Sequence, residues 1–272
     1  MGDARGELVG RRALVSGASS GLGRAFAREL ARRGAGLVLT ARREERLQAL
    51  AEELRSAHGV EVRVEALDLG APGAAGELFT RTEGQGLTID ILVNNAGLGA
   101  HGDFLDRPFE DAAQQVRVNV LALLELSHRF GQAMRARRRG WILDVASFVA
   151  DLPVPQMAVY AATKAFVRHL GDALAVELAP HGVKVCSLLP GGIDTEFFAV
   201  SGQGERIPGV MRLTMASPEQ VARAGLAALF GWRRSVAPGL LIKLGLWSVR
   251  LMPRRLRAWL AHRIMGLPAA AQ

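Results

Sequence analysis

Tyr160 and Lys164 stand four residues apart in Tyr-Ala-Ala-Thr-Lys. On a helix that spacing puts both side chains on one face, so a phenol and an ammonium project together. Such a pair sets a titratable hydroxyl beside a positive charge. Composition singles the pair out. Tyr160 is the only tyrosine, and Lys164 is one of three lysines, with Lys184 and Lys243, beside 31 arginines. A chain that otherwise uses Arg for positive charge has a Lys here, which suits a compact point charge rather than a planar fork. An ordinary amphipathic helix is the bland alternative for the spacing alone.

Further polar residues gather at the ends of apolar runs. Ser147 follows one such run, 13 residues before Tyr160; Asn94-Asn95-Ala96-Gly97 and Pro190-Gly191-Gly192-Ile193-Asp194-Thr195 follow two others. Asn119 sits inside a helical pattern, where Asn has poor propensity. Near the start, Ser16-Gly17-Ala18-Ser19-Ser20-Gly21-Leu22-Gly23 closes a strand and opens a helix. Glycines at 17, 21 and 23 let the backbone turn tightly and approach a pyrophosphate at the helix N-terminus. Arg24 follows Gly23, so the Lys of a triphosphate-cradling loop is missing. The turn therefore favours a dinucleotide.

These residues need a scaffold, and the apolar pattern predicts one. Strand-length runs at 13–16, 36–41, 61–67, 89–94, 141–146 and 183–189 alternate with helical periodicity at 23–33, 44–58, 109–139 and 159–181. That alternation predicts a parallel, doubly wound sheet covered by helices on both faces, a three-layer α/β/α domain. A weaker strand lies near 235–238. Ser217-Pro218-Glu219-Gln220 has the form of a capping box and starts a helix running to about Phe230. Residues 196–216 lack periodicity and carry Phe197, Phe198, Val200, Ile207, Val210, Met211, Leu213 and Met215, which predicts a lid over an apolar ligand or over the protein's own core. The candidate motifs all fall after the carboxyl ends of strands, where open α/β sheets bind ligands.

The 272-residue chain is 49% hydrophobic and 22% charged, which excludes a disordered or disulfide-scaffold protein. Its formal charge of +8 is unevenly spread. Residues 220–272 hold nine basic and no acidic side chains, leaving 25 basic against 26 acidic in the first 219. The body is nearly neutral and the tail is basic. Cys186 is the only cysteine, consistent with a reducing compartment. The first seven residues resemble neither a secretory nor a myristoylation signal. No stretch free of Asp, Glu, Lys and Arg exceeds 12 residues, against roughly 20 apolar ones for a membrane span. A cytoplasmic location is expected. The histidines form no metal pattern, and the cluster at 135–139 suits a helix C-terminus rather than nucleic acid.

In order and spacing, the glycine turn, Asn-Asn-Ala-Gly, Asn119, Ser147, Tyr160-x-x-x-Lys164 and Pro-Gly-x-x-x-Thr resemble the single-domain short-chain dehydrogenase/reductases over roughly residues 8–230. The resemblance implies a Rossmann domain at 1–235, a homodimer or homotetramer pairing through the 109–139 and 159–181 helices, and interconversion of a carbonyl and an alcohol. It implies Tyr160 as general acid or base and Ser147 as the group holding the substrate oxygen. Lys164 would bind the nicotinamide ribose and depress the Tyr160 pKa, and Asn119 would support a water relay. Lowering a phenol by about three units requires about 4 kcal/mol of differential stabilisation, to which an ammonium and an oxidised nicotinamide can contribute. The implied cofactor contacts are Gly17, Ser19, Ser20, Gly21, Leu22, Gly23, Asp68, Leu69, Asn95, Ala96, Gly97, Tyr160, Lys164, Pro190, Gly191, Ile193 and Thr195. Two departures stand out: Ser16 replaces the usual Thr, and Asp144 lies on the Ser147 strand where a carboxylate is unexpected.

The second strand ends in Ala41-Arg42-Arg43. An NAD site wants a carboxylate there, whereas a ribose 2′-phosphate wants positive charge, so Arg42 and Arg43 predict NADP(H) used reductively. The apolar lid residues point to a lipid-, steroid- or acyl-like substrate. An epimerase or dehydratase of the same superfamily, or an idle NADP-binding regulator, are the competing readings. The first usually has a different glycine spacing, and the second has no use for Asn119, Ser147, Tyr160 and Lys164 together. In the extension at 236–272, Lys243, Arg250, Arg254 and Arg257 share a helical face opposed by Leu240, Leu241, Leu244 and Leu251. Beyond a break at Pro253 come Leu256, Trp259 and Leu260, and the whole predicts a basic amphipathic element for a membrane surface, a substrate cleft or the protein's own body.

Overall fold

The structure, a computed structural model, describes residues 6–193, 196 and 215–264. Seven strands form one parallel sheet in the order β3-β2-β1-β4-β5-β6-β7: β1 Arg12–Ser16, β2 Gly36–Ala41, β3 Val62–Ala66, β4 Ile91–Asn94, β5 Gly140–Val145, β6 Val183–Leu188 and β7 Ser235–Val236. The chain winds outward in one direction from β1 to β3, then returns to the centre at β4 and winds the other way. The carboxyl ends of β1 and β4 therefore part at a crevice, the place where such sheets bind ligands.

Alternation along each strand builds two cores. Ala13, Val15, Leu37, Leu39, Ile91, Val93, Leu143 and Val145 point to one face, where helices α1 (Gly21–Arg32) and α2 (Glu44–His58) add Phe26, Leu30, Leu47, Leu50 and Leu54. Leu14, Val38, Leu92 and Ile142 point to the other, against Leu78 of helix α3 (Ala74–Arg81) and Leu126, Phe130 and Met134 of helix α5 (Leu123–Ala136). A two-residue period with both sides apolar is what a doubly covered sheet demands.

The helix expected at 109–139 is interrupted. Helix α4 (Phe109–Val116) passes into a π-helical stretch, Arg117–Ala122, before α5 begins. Helix α6 (Ala158–Glu177) carries Tyr160 and Lys164 and ends before a short 3-10 turn, Ala179–His181. Ser217 caps helix α7 (Pro218–Phe230) through the full reciprocal pair with Gln220. Gly225 brings α7 close to the sheet, since a Cβ there would lie 3.1 Å from Leu188 Cδ2. Helix α3 was not expected; its eight residues are too few to show a period.

After β7 come helices α8 (Leu240–Leu251) and α9 (Arg254–Ile264), separated by Met252 and Pro253. The inward stripe of α8 is Ile242 and Val249, and the expected apolar face, Leu240, Leu241, Leu244 and Leu251, is the outer one and exposed, with Trp247 exposed beside it. Helix geometry puts Lys243 beside that stripe rather than opposite it. Apart from Glu196, Met215 and Ala216, the expected lid at 196–216 lies outside the described residues, as does Thr195. No helix among the described residues is long and apolar enough to cross a membrane, and no group of three or more His, Cys, Asp and Glu among them could hold a metal.

Candidate active site

The crevice begins with hydrogen bonds that lock two strand ends together. Ser16 Oγ donates to Val93 O and accepts from the backbone N–H groups of Asn95 (2.9 Å) and Ala96 (3.0 Å). The hydroxyl that replaces the usual Thr thus ties the glycine turn to the end of β4. Asn95 Nδ2 donates to Ser16 O at 2.9 Å. Gly17 has φ +68°, and a Cβ there would meet Ala96 Cα at 2.9 Å, so only glycine fits this close approach. Ser20 precedes α1 in extended conformation without a side-chain cap, and α1 has no acid in its first turn. That N-terminus suits an anion.

One cleft is lined by Gly17, Ser19, Ser20, Gly21, Leu22, Arg42, Arg43, Asp68, Leu69, Asn95, Ala96, Gly97, Ser147, Tyr160, Lys164, Pro190, Gly191 and Ile193. Gly23 and Asn119 are not on its wall. A Cβ on Gly23 would lie 2.2 Å from Gly17 O, so Gly23 serves the packing of α1 on its own turn rather than ligand contact. Asn119, buried in the π-helical stretch, accepts from Leu98 N (2.7 Å) and donates to Leu98 O (2.8 Å) and Thr163 Oγ1 (3.0 Å). Its side chain binds backbone beyond its own helix, which explains an Asn in a helical pattern. Asn119 Oδ1 and Lys164 Nζ converge on Gly97, each 3.4 Å from where its Cβ would be.

At the floor, Ser147 is an extended residue two positions past the end of β5, Tyr160 sits in the first turn of α6, and Lys164 lies one turn on. The Ser147 and Tyr160 side chains are hydrogen-bonded. Lys164 is buried, its Nζ donating to Val145 O at 2.7 Å and lying 5.7 Å from the Tyr160 ring centroid. Burial pushes the Lys164 pKa down to about 8, against the opposing pull of the Asp144 carboxylate. Burial also pushes the Tyr160 phenol up to about 12, countered only by the Ser147 hydrogen bond. In this cleft desolvation outweighs the hydrogen bond. A phenol that keeps its proton is an acid in waiting.

Behind Lys164 lies a polar row. Asn94, Asp144 and Ser187 occupy registered positions on β4, β5 and β6. Asn94 Nδ2 donates to Asp144 Oδ1 (2.8 Å) and Ser127 Oγ (2.9 Å). Asp144 Oδ2 and Ser187 Oγ have no partner among the described residues, and both occupy the space that a Cβ on Gly171 of α6 would need. Burial raises the Asp144 pKa to about 6 despite the Asn94 hydrogen bond and the Lys164 charge.

The opposite rim is cationic. Arg43 donates from Nε and Nη2 to Ser19 Oγ (3.2 and 3.1 Å), linking the end of β2 to the glycine turn. Its Nη1 and that of Arg46 reach Glu196. Arg42 is exposed and makes no ion pair among the described residues. Arg46 and Glu196 escape sequence reading because they meet across 150 residues of chain. The residues fit a phosphorylated dinucleotide: a glycine turn beside an uncapped helix start, guanidinium groups at the ribose end, and a proton-bearing phenol at the other.

A family model described as short chain dehydrogenase matches residues 11–206. The chain is 33% identical to a very-long-chain 3-oxoacyl-CoA reductase of Podospora anserina over 93% of its own length and 68% of the relative's. It is 35% identical to a 7beta-hydroxysteroid dehydrogenase of Collinsella aerofaciens over 66% of its own length and 67% of the relative's. Against two further very-long-chain 3-oxoacyl-CoA reductases it spans 64% of their length. The solved short-chain dehydrogenase from Sphingobium yanoikuyae in complex with NADPH superposes with a TM-score of 0.81 at 30% identity, covering 96% of this chain and 98% of that one.

Proposed function

The chain belongs to the short-chain dehydrogenases, a family of oxidoreductases, and from that premise we propose that it reduces apolar ketones to alcohols with NADPH. The observation that carries the reading is the convergence of Ser147, Tyr160 and Lys164 on one cleft with the glycine turn and Arg43. When bound, the nicotinamide supplies a hydride to the carbonyl carbon. Ser147 and Tyr160 hold the carbonyl oxygen, and the Tyr160 hydroxyl donates its proton to that oxygen as the alcohol forms. The Lys164 ammonium faces the phenol and stabilises the phenolate left behind. Asn119 fixes the Leu98 backbone and sits beside Lys164 as the candidate anchor of a relay that restores the proton.

Arg42, Arg43 and Arg46 support NADPH over NADH: Ala41 offers no carboxylate to a ribose hydroxyl, and guanidinium forks match a phosphate. The relatives named for 3-oxoacyl-CoA and hydroxysteroid support an apolar substrate. Comparing kcat/KM for NADPH and NADH with 3-oxoacyl thioesters, oxosteroids and sugar ketones tests both points. Preference for NADPH and for the apolar ketones is expected; preference for NADH, or turnover of the sugars alone, contradicts them.

The outer surface supports two further readings. Val116, Leu121, Leu124, Phe166 and Val176 are exposed on α4 to α6, a face suited to a second copy of the chain, which mass measurement in solution checks. The exposed stripe of Leu240, Leu244, Trp247 and Leu251, in a segment with basic and no acidic residues, fits the surface of an anionic membrane.

A further inference from the structure

The cationic rim of the cleft already holds a carboxylate from this chain. Glu196 accepts from Arg43 Nη1 at 3.3 Å, and both its oxygens accept from Arg46 Nη1, at 2.9 and 3.0 Å. The other nitrogens of Arg43 are committed to Ser19 in the glycine turn, so one guanidinium spans the distance from the turn to Glu196. The two arginines hold the Glu196 carboxyl below the usual carboxylate range, the Arg46 hydrogen bond contributing most, so it is an anion at neutral pH. A carboxylate and a phosphate monoester seek the same donors, coplanar N–H forks, and one fork cannot fully satisfy both. The three groups are each 43–51% exposed, so nothing in the packing prevents exchange of one oxyanion for another.

We propose that Glu196 is an internal competitor for the cofactor's 2′-phosphate: it neutralises Arg43 and Arg46 in the free protein and yields them when the phosphorylated cofactor binds. The inference rests on the NADPH reading and adds a residue that sets how tightly, rather than whether, the phosphate is held. Its chemistry is selective. A carboxylate on these arginines weakens ligands that carry the 2′-phosphate and leaves ligands without it almost untouched. Because exposed ion pairs are worth little individually, the effect is a tuning one, about two- to fivefold in affinity.

The test is Glu196→Gln in the full chain, with dissociation constants for NADPH, 2′,5′-ADP and NADH measured by titration at two salt concentrations. The expected result is that NADPH and 2′,5′-ADP bind about two- to fivefold tighter and NADH is unchanged, with the gain shrinking at high salt. Unchanged or weaker NADPH binding by the variant, in a protein that still prefers NADPH to NADH, overturns the competitor role and leaves the cofactor reading standing. A wild-type protein that binds NADH as tightly as NADPH overturns the cofactor reading, and the competitor role with it. A thermal melt of the variant, expected to match wild type because Glu196 is exposed, shows that any change arises at the site.

Discussion

The two ends of the cleft treat charge in opposite ways. At the floor, Asp144 is fully buried and Lys164 nearly so, and burial moves three titratable groups, Asp144, Tyr160 and Lys164, well away from their ordinary values. At the rim, Arg43, Arg46 and Glu196 are about half exposed, and water and salt screen what they feel. At the floor, burial sets the protonation of each group and the neighbouring charge only moderates it. At the rim, charges act in sum and can exchange partners. On the proposed reading the floor sets the chemistry and the rim the choice of cofactor.

The sharpest way to break that division is at the floor. Lys164→Ala removes the ammonium facing Tyr160 and should lower kcat by about 10²- to 10⁴-fold in steady-state assays of ketone reduction. A drop below tenfold would place the chemistry elsewhere. At the rim, Arg43→Ala should raise the KM for NADPH about two- to fivefold, leave that for NADH within twofold, and spare kcat. If kcat fell with it, rim and floor would not be separable.

Asp144→Asn tests the floor more gently. The Asp144 carboxylate raises the Lys164 pKa against burial, so removing its charge lets Lys164 lose its proton at lower pH. The alkaline limb of the kcat/KM profile should move down by about half a unit to one unit. Stability has its own sign. The Asp144 pKa is raised by burial to about 6 in the folded protein, so its contribution is most favourable below the unfolded value near 4 and is lost as pH rises through 6. Asp144→Asn should therefore gain Tm relative to wild type at pH 7 and gain less at pH 4. The smallest effect is at the outer surface, where Leu244→Asp with Trp247→Ala should abolish co-sedimentation with phosphatidylserine vesicles and leave turnover of a soluble ketone within twofold.

Much of this was legible in the sequence, and the reasons differ by residue. Tyr160 and Lys164 could be paired because a four-residue spacing is a local property of helices, and Ser147 because it ends an apolar strand. Gly17 was legible as a turn residue; Gly23 was not legible as a packing residue, since the clash with Gly17 O exists only once α1 folds back on its turn. The π-helical stretch left no periodic mark, and Asn119 stood out only as a poor helix former. The row of Asn94, Asp144 and Ser187 depends on strand register, and the meeting of Arg43 and Arg46 with Glu196 on the tertiary path of the chain. Periodicity also set Lys243 opposite the leucine stripe of α8 rather than beside it, and because the helix is apolar on two faces the pattern left open which face the body covers.

The central claim is that Tyr160 delivers the proton while other residues hold the cofactor, and Tyr160→Phe tests it most directly. In a single-turnover experiment with NADPH and the ketone best reduced by wild type, the NADPH dissociation constant should stay within about twofold. Hydride transfer should slow by at least about three orders of magnitude, each tenfold worth about 1.36 kcal/mol of barrier. Transfer within tenfold of wild type, with NADPH bound normally, would contradict the account.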